Sequence, residues 1–422
     1  MSAAARPAPG GLTVAEARER IAAALPRVQE TERVALRQAL GRVLAADVIS
    51  PIDVPAHDNS AMDGYALRGA ELPATGQAVL PVAGQALAGR PFDGMPPAGA
   101  AVRIMTGAPM PAGLDTVVPL EQVQVLDAGT PGERVQIAAG SVRPRDHCRL
   151  HGEDLARGQC ALPAGQRLKP ADLGLLASLG QAEVAVWRRL RVALFSTGDE
   201  LRDAGEPLEE GCIHDSNRYA LLGLLERLGV EVLDLGIVPD RPAALEATFL
   251  EAAARSDVIL TSGGVSAGDA DHTRALMARL GQVDFLSLAM RPGRPLAFGR
   301  LAGAGREVLL FGLPGNPVAS MVAFLVFVRD ALLVMSGAAA PQRTMLRARA
   351  AQPIPKRAGR TEYPRGLLGL DRGEPMVHLT GAQGSGILSS MSQADVLIVL
   401  EHERGPVAAG DWVPVLPFDG LL

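Results

Sequence analysis

The stretch from Asp257 to Thr273 constrains the fold of this chain more than any other. An apolar run, Val258 to Leu260, leads into a glycine-rich turn, and a helix can begin near Asp271. This is the pattern of a buried strand in a parallel sheet with a loop at its carboxyl end. In open α/β sheets ligands sit beyond the carboxyl ends of the strands, where glycines let backbone N–H groups approach an anion. The loop has no lysine, however, and carries Asp269 and Asp271, which a plain phosphate cradle would avoid.

The surrounding pattern extends this to a doubly wound α/β domain. Val192 to Phe195, Val230 to Leu235, Val258 to Leu260 and Phe285 to Leu288 read as strands. They alternate with helices at Asn217 to Leu228, Pro242 to Ala254, Asp271 to Leu280 and Pro317 to Met335. From Pro51 to about Gly152 the chain changes to short β-prone runs near 79–82, 102–105, 116–120, 122–126 and 135–137, an all-β module. A last β-prone module has strands near 344–350, 376–379, 396–400 and 412–416. At the start, Thr13 and Glu16 form a capping box for a helix that Pro26 stops. Leu36 to Leu40 reads as a second short helix and Arg42 to Ile49 as a strand. Pro170 opens a further helix that Gly180 ends, and this region is expected to rejoin the N-terminal segment.

At 422 residues the chain exceeds one ordinary core. A formal charge of −5 leaves no basic footprint for nucleic acid or membrane surfaces, so a small ligand is expected. Cys148, Cys160 and Cys212 lack C-x-x-C spacing, which excludes a zinc ribbon or a disulfide framework and fits reduced cysteines. Met1 to Gly11 has no apolar signal core, and the run Met321 to Val328 is too short to span a bilayer, so a cytoplasmic protein is expected. Lys169 and Lys356 are the only lysines in a chain rich in arginine.

Three loops should share one sheet edge: Ser196 to Leu201 with Thr197, Gly198, Asp199 and Glu200; the glycine loop with Ser262, Gly263, Gly264 and Ser266; and Gly312 to Pro317 with Pro314, Gly315 and Asn316. Asn316 before Pro317 makes a helix start whose N–H groups suit an oxyanion. Singly, each loop reads equally as a sheet-edge turn. In Arg291-Pro292-Gly293-Arg294 the Pro-Gly centre favours a type II turn, which brings residues 291 and 294 within roughly 7 Å and makes the two arginines neighbours. Such a pair repels unless an anion lies between, although solvated loop arginines give the same pattern. The polar segment 55–66 has neither helical nor strand periodicity, and Asp63 before Gly64 is equally a turn residue. The carboxylates Asp63, Asp154, Asp199, Glu200, Asp269 and Asp271 make sense beside phosphate-type loops if they share a cation, and magnesium is the natural one. No P-loop or dinucleotide fingerprint is present, and the histidines lack metal-ligand spacing.

These residues together resemble the molybdopterin molybdenumtransferase family, which includes the E domain of gephyrin. The resemblance rests on Asp58 to Ala66, Ile104 to Ala108, Gly152-Glu153-Asp154, Ser196 to Leu201, Ser262 to Ser266 and Gly312 to Pro317, and it covers nearly the whole chain. It implies four domains: residues 12–50 with 154–187, an inserted β domain 51–153, a molybdopterin-binding α/β domain 188–338, and a β-barrel-like domain 339–422. It implies a homodimer with its cleft between the α/β domain of one protomer and the inserted domain of the other. The implied activity is transfer of molybdenum from molybdate to adenylylated molybdopterin, releasing AMP and molybdenum cofactor with magnesium assisting. Contacts with other proteins of cofactor synthesis and with acceptor molybdoenzymes follow from the same resemblance. Asp63, Glu200 and Asp271 would be catalytic, the last two also holding the metal. Thr106 and Asp154 would bind substrate from the β domain, as would Asp269 in the glycine loop, Arg291 and Arg294 where relatives often carry lysine, and Arg360 and Ser385 from the last module. A molybdopterin adenylyltransferase and a non-catalytic molybdopterin-binding scaffold are the alternatives. The first needs only the α/β domain, and the retained carboxylates speak against the second.

Overall fold

The structure is a computed structural model that describes residues 11–264, 271–303, 305, 307–339 and 343–418. Its centre is a six-stranded sheet. Glu231–Val238, Arg191–Thr197, Val258–Ser262 and Glu307–Leu313 lie side by side and parallel, followed by Pro295–Ala302 and Gly281–Ser287, which are antiparallel. The sheet is therefore mixed: Pro295–Ala302 and Glu307–Leu313, two strands beyond those expected, form a meander with Gly281–Ser287, which overlaps the strand expected at Phe285 to Leu288. Helices cover both faces. Val14–Ala23, Ser216–Leu228 and the long helix through Pro317–Met335 pack on one, and Pro242–Arg255 and Asp271–Leu280 on the other. The central strands are buried on both sides, which is why they read as continuous apolar runs rather than as alternation.

Local chemistry accounts for the helix ends. The Thr13 hydroxyl accepts from the Glu16 N–H at 3.2 Å while the Glu16 carboxylate accepts from the Thr13 N–H at 2.8 Å, the reciprocal cap that the sequence predicts. Asp215 caps Ser216–Leu228 and Gly229, at φ 77°, ends it. The long helix widens by one turn at Phe324–Val328. The Val326 carbonyl there accepts from Arg18 at 3.2 Å and Arg343 at 2.9 Å. This helix is long and apolar enough to cross a membrane, but 83% of its apolar window is buried inside the protein.

A second six-stranded sheet runs in the order Thr116–Pro119, Gly64–Leu67, Ala101–Ile104, Gln77–Ala86, Arg134–Ala138, Val123–Leu126, and curls around two small cores. Gly64–Leu67 corrects the reading of 55–66 as free of strand structure. All four residues are buried, so no alternation marks the strand, and a Cβ on Gly64 would meet the Val118 carbonyl oxygen at 2.2 Å. The segment Arg42 to Ile49 is less regular than expected. Only Val48–Ile49 is a strand, paired with Cys160–Leu162, and Leu36–Gln38 is a single tight 3-10 turn. Thr31–Ala35 pairs with Glu183–Trp187, so chain before and after the curled sheet shares one small core. The last module is a closed five-stranded barrel of Leu346–Ala350, Glu374–Leu379, Arg365–Asp371, Val396–Ile398 and Trp412–Pro417.

One pairing positions the site. Met290–Arg291 lies parallel to Thr361–Glu362, and the Tyr363 N–H donates to the Arg291 carbonyl at 2.9 Å. This joins the sheet edge to the barrel and sets Arg360 beside Arg291.

Candidate functional site

The three parallel strands ending at Thr197, Ser262 and Leu313 are neighbours, so their loops meet at one carboxyl edge as expected. Two adjoining clefts open there. The larger, of about 510 Å³, is lined by Arg291, Arg294, Pro314, Gly315, Asn316 and Arg360 together with Gln383 and Ser385. The smaller, of about 300 Å³, is lined by Thr197, Glu200, Ser262, Gly263 and Gly315 and by the helix start Asp215-Ser216-Asn217. Gly315 belongs to both, and Gly386 of the second cleft follows Ser385 of the first.

The larger cleft is basic. Arg294 Nε donates to the Ser287 hydroxyl at 3.2 Å, and Arg360 Nε donates to buried Glu362 at 2.7 Å. Among the described residues neither Arg291 nor Arg294 has a carboxylate partner. Three guanidiniums thus face one carboxylate, an arrangement that suits a tetrahedral oxyanion. The turn carrying the pair has Gly293 at φ 99°, and its Arg291–Pro292 peptide is cis. The helix start at Asn316 offers less than its sequence suggests. Asn316 makes no side-chain cap, and the Val318 N–H is already taken by the Ser385 carbonyl at 3.0 Å.

The smaller cleft shows why glycine is required. Gly263 sits at φ 93°, and a Cβ there would lie 2.7 Å from the Thr197 carbonyl oxygen, so the first two loops pack backbone to backbone. A Cβ on Gly198, at φ 153°, would meet the Glu200 carboxylate, the movable end of a side chain. Asn217, which the sequence reading passed over, ties the edge together. Its amide donates to the Ser262 hydroxyl and to the Gly315 carbonyl, both at 2.7 Å. A carbonyl only accepts, which fixes the amide's orientation. The Asp-Ser-Asn helix start at the same edge was the available signal. The side-chain oxygens of Ser196, Thr197, Thr261 and Asn217 are buried here without a partner among the described residues.

The described carboxylates of this edge have separate surroundings. Asp199 accepts from the Asp240 N–H at 3.1 Å, and Asp215 is taken up by Arg218. Glu200 is exposed, and no described donor meets its carboxylate. Among the described residues no three His, Cys, Asp or Glu side chains are grouped to hold a metal. Ser266 and Asp269 lie outside the described residues; Asp271 begins a helix, and its side chain lies outside them too.

Asp63, Thr106 and Asp154 are elsewhere. Asp63 accepts from the Thr106 N–H at 2.7 Å and from its hydroxyl at 2.8 Å, and these bonds, the backbone one first, hold its carboxyl below the usual range. Both residues are exposed at a corner of the curled sheet, as is Asp154, whose N–H donates to the Val54 carbonyl at 3.1 Å. No residue from 51–153 lines either cleft.

Comparison with known proteins agrees over the whole chain. Residues 12–180 match the MoeA N-terminal region (domain I and II), residues 193–333 a probable molybdopterin binding domain, and residues 347–418 the MoeA C-terminal region (domain IV). The chain is 42% identical over 414 residues to a molybdopterin molybdenumtransferase of Haemophilus influenzae, covering 97% of this chain and all of that protein. It is 38% identical to one from a Nostoc species, covering 92% and 89%. The crystal structure of a molybdopterin biosynthesis moeA protein from Pyrococcus horikoshii superposes with a TM-score of 0.81 at 28% identity, covering 96% of this chain and 99% of that one.

Proposed function

Since the chain belongs to the molybdopterin molybdenumtransferase family, we propose that it transfers molybdenum from molybdate to adenylylated molybdopterin, releasing AMP and molybdenum cofactor. The observation that carries this reading is the basic cleft. Arg291, Arg294 and Arg360 converge on a space of about 510 Å³ that opens beside the Glu200, Ser262 and Gly263 cleft. The guanidinium forks and the Ser385 hydroxyl bind molybdate, while the glycine loop and Thr197 admit the phosphate end of the pterin. Breaking the bond between adenylate and pterin phosphate leaves negative charge on the departing phosphate, which fixed cations stabilise. An adenylyltransferase is not favoured, because the cleft takes Arg360, Gln383 and Ser385 from the barrel.

Magnesium needs one or two carboxylates plus substrate phosphates. Glu200 meets the lower bound in this cleft, and Glu200 with Asp271 would hold the ion. When bound, it supplies neutralising charge at the bridging phosphate oxygens. In the same reading the chain divides at 51–153, 188–338 and 339–422, with 12–50 and 154–187 as one unit. The protein works in the cytoplasm as a homodimer in which Asp63, Thr106 and Asp154 of a second copy form the opposite wall. The test is to mix protein, magnesium and adenylylated molybdopterin and to follow AMP with and without molybdate. Release that requires molybdate is expected; release that ignores it overturns the reading.

A further inference from the structure

The segment from Asp203 to Cys212 follows Glu200 closely and contains neither strand nor helix. None of residues 198–215 is part of an apolar core, so packing does not hold the segment down. Its two ends are held instead by one guanidinium. Arg218, in the first turn of the helix Ser216–Leu228, has a side chain only 6% exposed, and it donates from Nη2 to Asp203 at 2.6 Å and from Nε to Asp215 at 3.2 Å. A third arm, Nη1, reaches Asp234 on the strand Glu231–Val238 at 2.6 Å. The Tyr219 hydroxyl adds a bond to Asp203 at 2.8 Å. Glu200 hangs from the same arrangement. Leu201–Arg202 runs alongside Ile213–His214, the Ile213 N–H donates to the Glu200 carbonyl at 2.9 Å, and the Asp215 N–H donates to the Arg202 carbonyl at 2.9 Å. Glu200, Ile213, His214 and Asp215 all line the smaller cleft. Three carboxylates thus share one cation, and without it they would repel, so the segments that carry them would part together.

We propose that Arg218 is the positioning residue of the smaller cleft: by tying both ends of the 203–215 segment to helix and sheet, it holds Glu200 where that cleft opens. The inference rests on the reading of Glu200 as a magnesium ligand. A guanidinium suits the task because its planar set of five N–H groups reaches acceptors in several directions, whereas an ammonium is a compact point donor. The three arms have separable consequences. Asp215 also caps the helix that carries Arg218, and Asp234 joins that helix to the sheet, so both serve the domain itself. Asp203, whose side chain is 45% exposed, serves neither, and its arm acts on the segment alone.

The test compares full-length wild type, Arg218→Met, Asp203→Asn and Asp234→Asn by two readouts. The first is the rate at which a glutamate-specific protease cuts after Glu206, Glu209 or Glu210, identified by fragment mass, since such cleavage follows how often the segment opens. Arg218→Met is expected to raise it about tenfold or more. Asp203→Asn removes one charge and should raise it about threefold, while Asp234→Asn, which leaves the segment alone, stays within about twofold. The second readout is the magnesium concentration that gives half-maximal AMP release. In Arg218→Met it rises about tenfold while the rate at saturating magnesium stays near wild type, whereas a protein that is only less stable loses rate and keeps its midpoint. If Arg218→Met does not fold, Asp203→Asn against Asp234→Asn decides by the same two readouts. Cleavage of a folded Arg218→Met within about twofold of wild type overturns the hold on the segment, and raised cleavage with an unmoved magnesium midpoint overturns the positioning of Glu200. Wild type whose AMP release ignores magnesium overturns the metal reading of Glu200, and the protease comparison, which needs no metal, then decides the role of Arg218 by itself.

Discussion

The arginine cleft and the Asp63 corner are built by opposite means. The cleft draws on the sheet edge, the turn at 291–294, the helix start at 316 and two stretches of the barrel, brought together by the strand pairing at Met290–Arg291. It encloses space within one chain. The Asp63 corner is held by bonds within the curled sheet, is exposed, and contributes nothing to either cleft. Among the described residues only Thr106 meets the Asp63 carboxylate. The difference fits the proposed dimer, in which the Asp63 corner of a second copy would form the wall opposite the cleft.

The largest expected effect tests that division. Asp63→Ala and Glu200→Ala should each reduce molybdate-dependent AMP release by about a hundredfold or more with the fold retained. Mixing the two inactive proteins under conditions that exchange subunits should then restore about a quarter of wild-type activity. Half the dimers would be mixed, and each mixed dimer would hold one intact site of two. No recovery after verified exchange would place both residues in one chain's site and erase the contrast.

A middling effect compares the two regions' glycines. Gly263 and Gly107 both have positive φ, at 93° and 79°, but a Cβ on Gly263 would meet the Thr197 carbonyl oxygen at 2.7 Å, whereas one on Gly107 meets nothing within 4 Å. Gly107→Ala should cost about 1 kcal/mol, the strain of the backbone alone. Gly263→Ala should cost about 3 kcal/mol, because two loops must also part. Urea unfolding of both variants checks the order, and equal losses would mean the loops are not in fixed contact.

The parts of the molecule legible in sequence are those with a local cause. The strand, glycine turn and helix start at 258–271, the capping box at Thr13 and the grouping of three loops at one edge all follow from neighbours in the chain. Gly64–Leu67 was not legible, since a strand buried on both faces carries no period. Arg360 could be suspected only from resemblance, because what sets it beside Arg291 is a pairing between segments about seventy residues apart in sequence. The surroundings of the six carboxylates were not legible for a related reason. Composition shows how many acids there are, but not that Asp199 and Asp63 are already engaged by N–H donors.

The smallest effect concerns the loops beneath the Asp63 corner. Asp58 accepts from the His151 N–H at 2.8 Å and pairs with its Nδ1 at 2.9 Å. The backbone bond first and the ring second hold the Asp58 carboxyl below its usual range, and the bond to Asp58 raises His151 above 6.5. The signs define a window. The aspartate's contribution is present above its unfolded pKa and fades as pH falls through its lowered folded value; the histidine's is full below its unfolded pKa and fades as pH rises through its raised one. The pair is therefore intact between the two folded values, and both groups are so exposed that the gain in stability is slight. In a proton NMR titration His151 should titrate above 6.5 in wild type and return toward it in Asp58→Asn, while molybdate binding at the arginine cleft stays level through the same range because guanidiniums keep their charge. A His151 that titrates at or below 6.5 would show that these loops are not joined, and that the half-site is looser than the cleft it is meant to face.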